Sequence, residues 1–307
     1  VPLTKLDDLL AEAKKTGPLR VAVAAAQGIE VLTALREAEK EKIVESILIG
    51  DKNAILSICS EIDFKPHQII HEEDKRKCSY IAVQLIKSGE AQLIMKGKME
   101  TVDLLKAVLD KDSGLRQAGR MLSQVVVFEA PGFNRLMLLT DTSVNISPTL
   151  LDKAEICKNV IRVAHSIGFE NPKLAALATL EFVNPAIPST IDAACLTQMN
   201  RRGQITGAII DGPLALDACL SYKAAEQKGI QSPVAGEADI LVAPNLDAAN
   251  ILYRSIIYFN EVRNCGLVTG AKVPLILLSR AESADTKLHS IALSKIMYEF
   301  EKTEGLI

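Results

Sequence analysis

The residues best placed to do chemistry stand where apolar runs end. Leu277-Leu278-Ser279-Arg280-Ala281-Glu282-Ser283-Ala284-Asp285-Thr286 joins the last apolar run to the last amphipathic stretch. An Arg at a strand end grips phosphate or carboxylate through its guanidinium fork, and a helix starting just beyond adds unpaired N–H groups and a positive dipole end. Such a site suits an anionic substrate. Ser279 or Ser283 capping the helix, with Asp285 in its first turn, accounts for the same residues without any function. Met95-Lys96-Gly97-Lys98 also follows an apolar run: the Gly lets backbone approach a ligand, and two cations can meet phosphate. Solvated lysines account for it equally well. Asp211-Gly212-Pro213-Leu214 with Asp217, and Pro244-Asn245-Leu246-Asp247-Ala248-Ala249-Asn250, bring carboxylates and amides to two further turns. Their carboxylates have the chemistry to hold a divalent cation, although Asp-Gly-Pro is also an ordinary turn and Asn an ordinary helix cap.

The usual short motifs are missing. No GxGxxG follows a strand pattern, and there is no GxxxxGK[ST], GxSxG or HExxH, so nucleotide-cofactor and hydrolase chemistry lose support. Cys59, Cys78, Cys157, Cys195, Cys219 and Cys265 include no CxxC and no closely spaced Cys-His pair, which predicts neither a disulfide framework nor a zinc site. In apolar settings such as Ala193-Ala194-Cys195-Leu196 a thiol is a small core hydrophobe. His67 and His71 fall in a strand-like region and His165 and His289 in helix-like ones, with no metal triad among them.

The elements that position these segments follow from the hydrophobic pattern. Short runs rich in Val, Ile, Leu and Ala alternate with longer amphipathic stretches, as in a parallel sheet covered by helices, so the class is α/β. Strands are predicted at 20–25, 46–49, 92–95, 124–129, 136–140, 173–180, 207–211, 240–243, 266–268 and 274–278, and helices at 29–41, 73–87, 149–167, 187–202, 215–228, 246–262 and 283–302. So many continuous apolar strands exceed one small doubly wound sheet. Two domains are therefore expected. The polar, Pro-terminated stretch Asp141 to Pro148 marks the first crossing and the region of Ser279 the return, so residues 1–140 with 279–307 form one α/β domain and 141–278 the other.

Composition bounds the partners. The chain has 307 residues, 48% hydrophobic, with 35 basic against 38 acidic residues and a formal net charge of −3. No basic field exists to hold a nucleic-acid backbone, though a few local cations suffice for a small phosphorylated molecule. Apolar runs such as Val21 to Ala26 fall far short of the roughly 20 residues that cross a bilayer, and no basic then apolar leader opens the sequence. The expectation is a soluble cytoplasmic protein.

Taken in order, the segments at Met95-Lys96-Gly97, at Asp141 to Pro148 with its Val-Asn-x-x-Pro core, at Asp211-Gly212-Pro213-Leu214 with Asp217-Ala218, at Pro244 to Asn250 and at Leu278-Ser279-Arg280 resemble the phosphate acetyltransferase and phosphate butyryltransferase family over nearly the whole chain. The ending Ser279-Arg280-Ala281-Glu282-Ser283-Ala284-Asp285-Thr286-Lys287 is closer to the butyryl branch, the acetyl branch usually having Gly after the Arg. The resemblance implies two α/β/α domains of the isocitrate and isopropylmalate dehydrogenase type with the active site in the cleft between them, and a homo-oligomer, a dimer or a multiple of dimers. It implies reversible acyl transfer in which acyl-CoA and phosphate give acyl phosphate and coenzyme A. Coenzyme A is then a substrate, with no bound cofactor and no metal. Carried over by position, Ser279 hydrogen-bonds substrate or intermediate and Arg280 stabilises the anion and oxyanion. The acetyl branch keeps its general-base Asp six residues beyond that Arg. Here that position is Thr286, so either Asp285 takes the base role after a small shift of the helix start, with Glu282 in reserve, or the base lies elsewhere in the cleft. Asn145, Asp211, Asn250 and Lys96 match substrate-site positions.

Two competing readings are defined by what they require. A metal-dependent hydroxyacid dehydrogenase of the same fold would use Asp211, Asp217 and Asp247 as ligands, but the sequence has no nucleotide-binding segment and no Lys-Tyr pair placed for that chemistry. A coenzyme A binder without turnover would treat Thr286 as a lost base. Acetyl rather than butyryl specificity is a third alternative, because one methylene is worth only about 1–3 kcal/mol of discrimination.

Overall fold

The apolar runs form strands and the amphipathic stretches form helices, as patterning requires. The computed structural model describes residues 2–307. Residue 1, the start of the expected first domain, lies outside the described residues. The chain begins with α1 (Leu6–Ala13), β1 (Leu19–Ala24), α2 (Ile29–Lys40), β2 (Val44–Gly50), α3 (Lys52–Glu61), β3 (Gln68–His71), α4 (Lys75–Lys87), β4 (Leu93–Lys96) and α5 (Thr101–Val108). It continues through β5 (Ser123–Glu129), β6 (Leu136–Thr140), α6 (Leu150–Ser166), β7 (Lys173–Leu177), α7 (Pro188–Arg201), β8 (Ile209–Leu214), α8 (Leu216–Leu220), α9 (Tyr222–Gln227), β9 (Ile240–Val242) and α10 (Leu246–Asn260). It closes with β10 (Asn264–Thr269), β11 (Leu275–Ile276) and α11 (Ala284–Thr303). The mixed α/β class is as expected.

The chain forms two compact units, Leu6–Arg120 with Cys265–Ile307, and Met121–Asn264 with residues 2–5. Both crossings fall earlier than the expected 140/141 and 278/279. The reason is strand pairing. β5 and β6 form an antiparallel pair from Val125↔Thr140 to Glu129↔Leu136, and β6 then pairs in parallel with β9, so the hairpin belongs with Met121–Asn264. At the return, β11 pairs in parallel with β4 and antiparallel with β10, which ties residues from 265 onward to the unit that contains β4.

In the unit of Leu6–Arg120 and Cys265–Ile307 the strands run β3-β2-β1-β4-β11-β10, parallel except for β10. Val21 to Ala26 are all fully buried, as expected of a central parallel strand covered on both faces. α11 packs on α1 and α2, and its Lys295, itself fully buried, donates to the carbonyls of Thr16 (3.1 Å) and Gly17 (2.9 Å). In the other unit the order is β5-β6-β9-β7-β8, parallel beyond β6. α6 opens on a capping box in which the Thr149 hydroxyl accepts from Asp152 N–H and the Asp152 carboxylate accepts from Thr149 N–H.

Three differences from the sequence reading have local causes. Residues 215–228 are two helices rather than one, because Ser221 is extended and its hydroxyl caps α9 by accepting from Ala224 N–H at 3.2 Å. α1, α3 and α5 were not predicted: at 8–10 residues each they carry too few turns to show a clear period, and α3 is started by the Asp51 carboxylate accepting from Asn53 and Ala54 N–H. β3 pairs in parallel with β2 in the strand-like region noted around His67 and His71, while the strand expected over 207–211 spans Ile209–Leu214 and so runs on through Pro213. Burial pushes the thiols of Cys157 and Cys219 up to about 12, in keeping with core residues rather than nucleophiles. No helix among the described residues is long and apolar enough to cross a membrane.

Candidate active site

The site is assembled where the C-terminal ends of parallel strands meet, the usual ligand position in open α/β sheets. β1 and β4 pair with Ala24 opposite Lys96, so both strands end at one level. Just beyond, Gly97 N–H donates to Ala24 O (2.8 Å) and Lys98 N–H to Ala25 O (2.7 Å). A Cβ on Gly97 would lie 2.1 Å from Ala25 O, so only Gly allows this approach. On the other side of β4, β11 pairs Leu275 with Ile94 and Ile276 with Met95, and so delivers Leu278-Ser279-Arg280 to the same edge. α2 starts there as well, after Gly28, with no side chain capping its first N–H groups.

These segments line a cavity of about 380 Å³, walled by Gln27 to Val31, Lys96 to Lys98, Leu278 to Arg280 and, from α11, Lys287. Lys96 is 6% exposed and Lys287 3% exposed, unusual burial for lysines with no carboxylate hydrogen-bonded to either. Lys96 Nζ donates to Met99 O at 3.3 Å, and Lys287 Nζ donates to Glu282 O. Burial, then the nearby Arg280 and Lys287, hold Lys96 below the ordinary lysine range. Burial lowers Lys287 as well, against the pull of Glu30 and Glu282. Arg280 reaches the more exposed rim, where it pairs with Glu100 at 2.5 Å, and Ser279 Oγ accepts from Ala281 N–H at 3.3 Å. Only Glu30 and Glu61 oppose Lys96, Lys98, Arg280 and Lys287 in the lining, and the uncapped start of α2 adds further positive potential. Like charges held together out of water are unfavourable without a counter-charge, so the cavity favours an anion.

Three of the predicted residues, Lys96, Ser279 and Arg280, come together here. Asp285 lies in the first turn of α11 but is not among the residues lining the cavity. Its main-chain oxygen accepts from His289 Nδ1 at 2.8 Å, its carboxylate stands 3.4 Å from the same nitrogen, and His289 Nε2 faces Asp7 at 3.3 Å. Glu282 contributes backbone: its carbonyl receives Lys287 and its N–H donates to Ser279 O at 3.2 Å. Asn145, Asp211 and Asn250 belong to the other unit. There the Asn145 amide donates to Asp141 Oδ2 (2.6 Å) and Leu122 O (2.8 Å), Asn250 donates to Thr142 O (3.1 Å), and Asp211 sits on β8 opposite Ala175. Asp141 is the hub of that loop, accepting N–H groups from Gln124, Ser143, Val144 and Asn145 at 2.9–3.2 Å.

Asp217 turns to Lys228 (2.8 Å), which holds its carboxyl below the ordinary range, and among the described residues Asp211, Asp217 and Asp247 form no grouped ligand set. Sequence reasoning missed Lys287 and the start of α2. A Gly just after β1 and before α2 was a usable signal for the latter. Lys287 had none, since a lysine in a helical pattern reads as solvated until the fold turns that face inward.

The family model described as phosphate acetyl/butaryl transferase matches residues 65–295. A phosphate butyryltransferase of Clostridium acetobutylicum is 42% identical over 297 residues, 96% of this chain and 98% of that protein. A phosphate acetyltransferase of Thermotoga maritima is also 42% identical, over 95% of this chain and 99% of that one. The crystal structure of a branched-chain phosphotransacylase from Enterococcus faecalis matches with a TM-score of 0.79 at 31% identity, over 91% of this chain and 99% of that one. The chain therefore belongs to the phosphate acetyl/butyryl transferase family.

Proposed function

We infer that the chain is a phosphate acyltransferase that moves a short acyl group reversibly between coenzyme A and inorganic phosphate. One observation carries the reading: Ser279 and Arg280 share a cavity with two nearly buried lysines, Lys96 and Lys287. The anion that such a cavity calls for is the phosphate of an acyl phosphate, or free phosphate in the reverse direction. Attack of the thiol on the acyl carbonyl builds negative charge on the carbonyl oxygen beside a phosphate leaving group. Arg280 is suited to bear that charge, Lys96 to hold the phosphate, and the Ser279 hydroxyl to donate to the substrate or intermediate. A thiol with a pKa near 8.5 is mostly protonated at neutral pH, so a proton acceptor lowers the barrier.

Coenzyme A is in this reading a substrate, and no separate cofactor takes part. Ala281 after the Arg supports a butyryl-type acyl group over acetyl. Asn145 and Asn250 serve by bracing the loop that begins at Asp141, and Asp211 by shaping the edge at β8; the bonds of the two asparagines support this part. The two units act as two domains of the isocitrate and isopropylmalate dehydrogenase type, a reading supported by the parallel strands with intervening helices in each. A homo-oligomer is supported by Ile251, Tyr258 and Phe259, which stand exposed on α10.

The test is release of free thiol from acetyl-, butyryl- and branched-chain acyl-CoA with phosphate as acceptor, with and without chelator. Phosphate-dependent, chelator-insensitive release, greatest with the butyryl or branched chain, is the expected result. Binding of coenzyme A with no release from any acyl-CoA would overturn it in favour of a non-catalytic binder.

A further inference from the structure

The acyl-transfer reading leaves open which group takes the proton from the thiol. Position six beyond Arg280 is Thr286, which donates its N–H to Ser283 Oγ and has no carboxylate. Asp285 is engaged at His289 and is not in the cavity lining. The next residue, Lys287, is in the lining together with Ser279 and Arg280, and its amine is fixed by donation to Glu282 O.

We propose that Lys287 is the proton acceptor and donor of the reaction, its amine taking the proton of the coenzyme A thiol from within the cavity that holds the acyl phosphate. The proposal rests on the acyltransferase reading and deepens it. One N–H donated to the Glu282 carbonyl orients Nζ and leaves the nitrogen lone pair of the neutral amine for the thiol. The S–H bond breaks towards Nζ, sulfur bonds to the acyl carbon, and the bond from that carbon to the phosphate oxygen breaks with its electron pair on the oxygen. The ammonium then gives its proton to the departing phosphate, and the amine is restored. In reverse, phosphate yields its proton to the amine and the ammonium protonates the leaving thiolate. No further reactant is needed.

The surroundings favour a neutral amine. Lys287 is 3% exposed, and burial disfavours its charged form. Facing it are Glu30 from α2 and Glu282 from its own approach loop, both of which favour the ammonium, and Glu61 shares the lining. Lys96 at the end of β4 opposes a further positive charge, and Lys98 and Arg280 add theirs to the same lining. Bound phosphate would pull the amine back towards the ammonium, which suits a group that must hold the proton while phosphate departs.

K287R separates this role from simple anion binding, because a guanidinium keeps the charge but has no neutral form in the accessible pH range. The expected result with butyryl phosphate and coenzyme A is a fall in kcat of about 10²-fold or more for K287R, as loss of a general base gives, with the rise of rate with pH flattened. In K287A, added primary alkylamines should restore turnover in proportion to amine basicity. K287R within about threefold of wild type with an unchanged pH profile would overturn the proposal, as would failure of every amine to rescue K287A. Should neither variant fold, competitive acetylation of the wild-type chain with acetic anhydride across pH gives the answer. Lys287 titrating below the exposed lysines supports the role, and co-titration with them overturns it. Wild type without phosphate-dependent thiol release would instead overturn the acyltransferase reading, and the proposal with it.

Discussion

Gly97→Ala is the sharpest test of how the fold builds the site. The added Cβ would sit 2.1 Å from Ala25 O and 2.9 Å from Ala24 O, both backbone atoms that cannot swing aside. Real contacts of this kind do not fall below 3.0 Å, so the ends of β1 and β4 must separate by about 0.9 Å. That movement lengthens the bonds from Gly97 N–H to Ala24 O (2.8 Å) and from Lys98 N–H to Ala25 O (2.7 Å) beyond useful range. Overpacking costs about 1–3 kcal/mol and each of the two hydrogen bonds about 0.5–1.5 kcal/mol net, so the variant should lose roughly 2–6 kcal/mol. At roughly 2–4 °C per kcal/mol, the melting temperature should fall by about 4–24 °C. Lys96 and Lys98 move with the backbone, and a displacement near 1 Å of a positioned group costs on the order of 10²-fold in turnover. Denaturant unfolding, thermal melting and the thiol-release assay would be run beside Gly17→Ala, whose added Cβ meets nothing within 4 Å. A Gly97→Ala protein within about 0.5 kcal/mol of wild type, with turnover within about threefold, would refute the claim that this close approach sets the site.

Other variants test individual roles. Arg280→Ala should lower kcat by about 10²–10³-fold, as loss of an oxyanion stabiliser does, and wild-type turnover would remove Arg280 from the mechanism. Lys96→Met should abolish the gain in melting temperature from saturating phosphate, worth about 2.7 kcal/mol at a hundredfold excess over Kd. Because burial holds Lys96 low, its charge penalises the folded state below the depressed value, and the penalty fades as pH rises towards the ordinary 10.5. Removing Lys96 should therefore flatten the alkaline rise in unliganded stability, and an unchanged slope in pH-dependent unfolding would reject the assignment. Asp285→Asn should keep most turnover, because its carboxylate neighbours His289 rather than the cavity. A loss of about 10²-fold with a flattened pH profile would return the base role to Asp285.

Much of the fold was legible in the chain because local pattern determines it. The apolar run expected as a strand over 20–25 forms β1 to within a residue at each end, β6 was delimited at both ends, and the Ser279-Arg280 pair stood out because a polar pair ended an apolar run before a helix. Family resemblance could be read from the order of such segments along the chain. The domain crossings could not, since they depend on which strands pair: the β5–β6 hairpin goes with β9, and β11 stays with β4. Nor was the identity of the buried cations visible. Lys96, Lys98 and Lys287 are alike in sequence, and only the closure of β1 on β4 and the packing of α11 on α2 bury Lys96 and Lys287 while Lys98 stays exposed. Spacing sets which residues share a helix face or a strand end; the packing of distant segments sets which charges leave water. The chemistry of this cavity depends on the second of these.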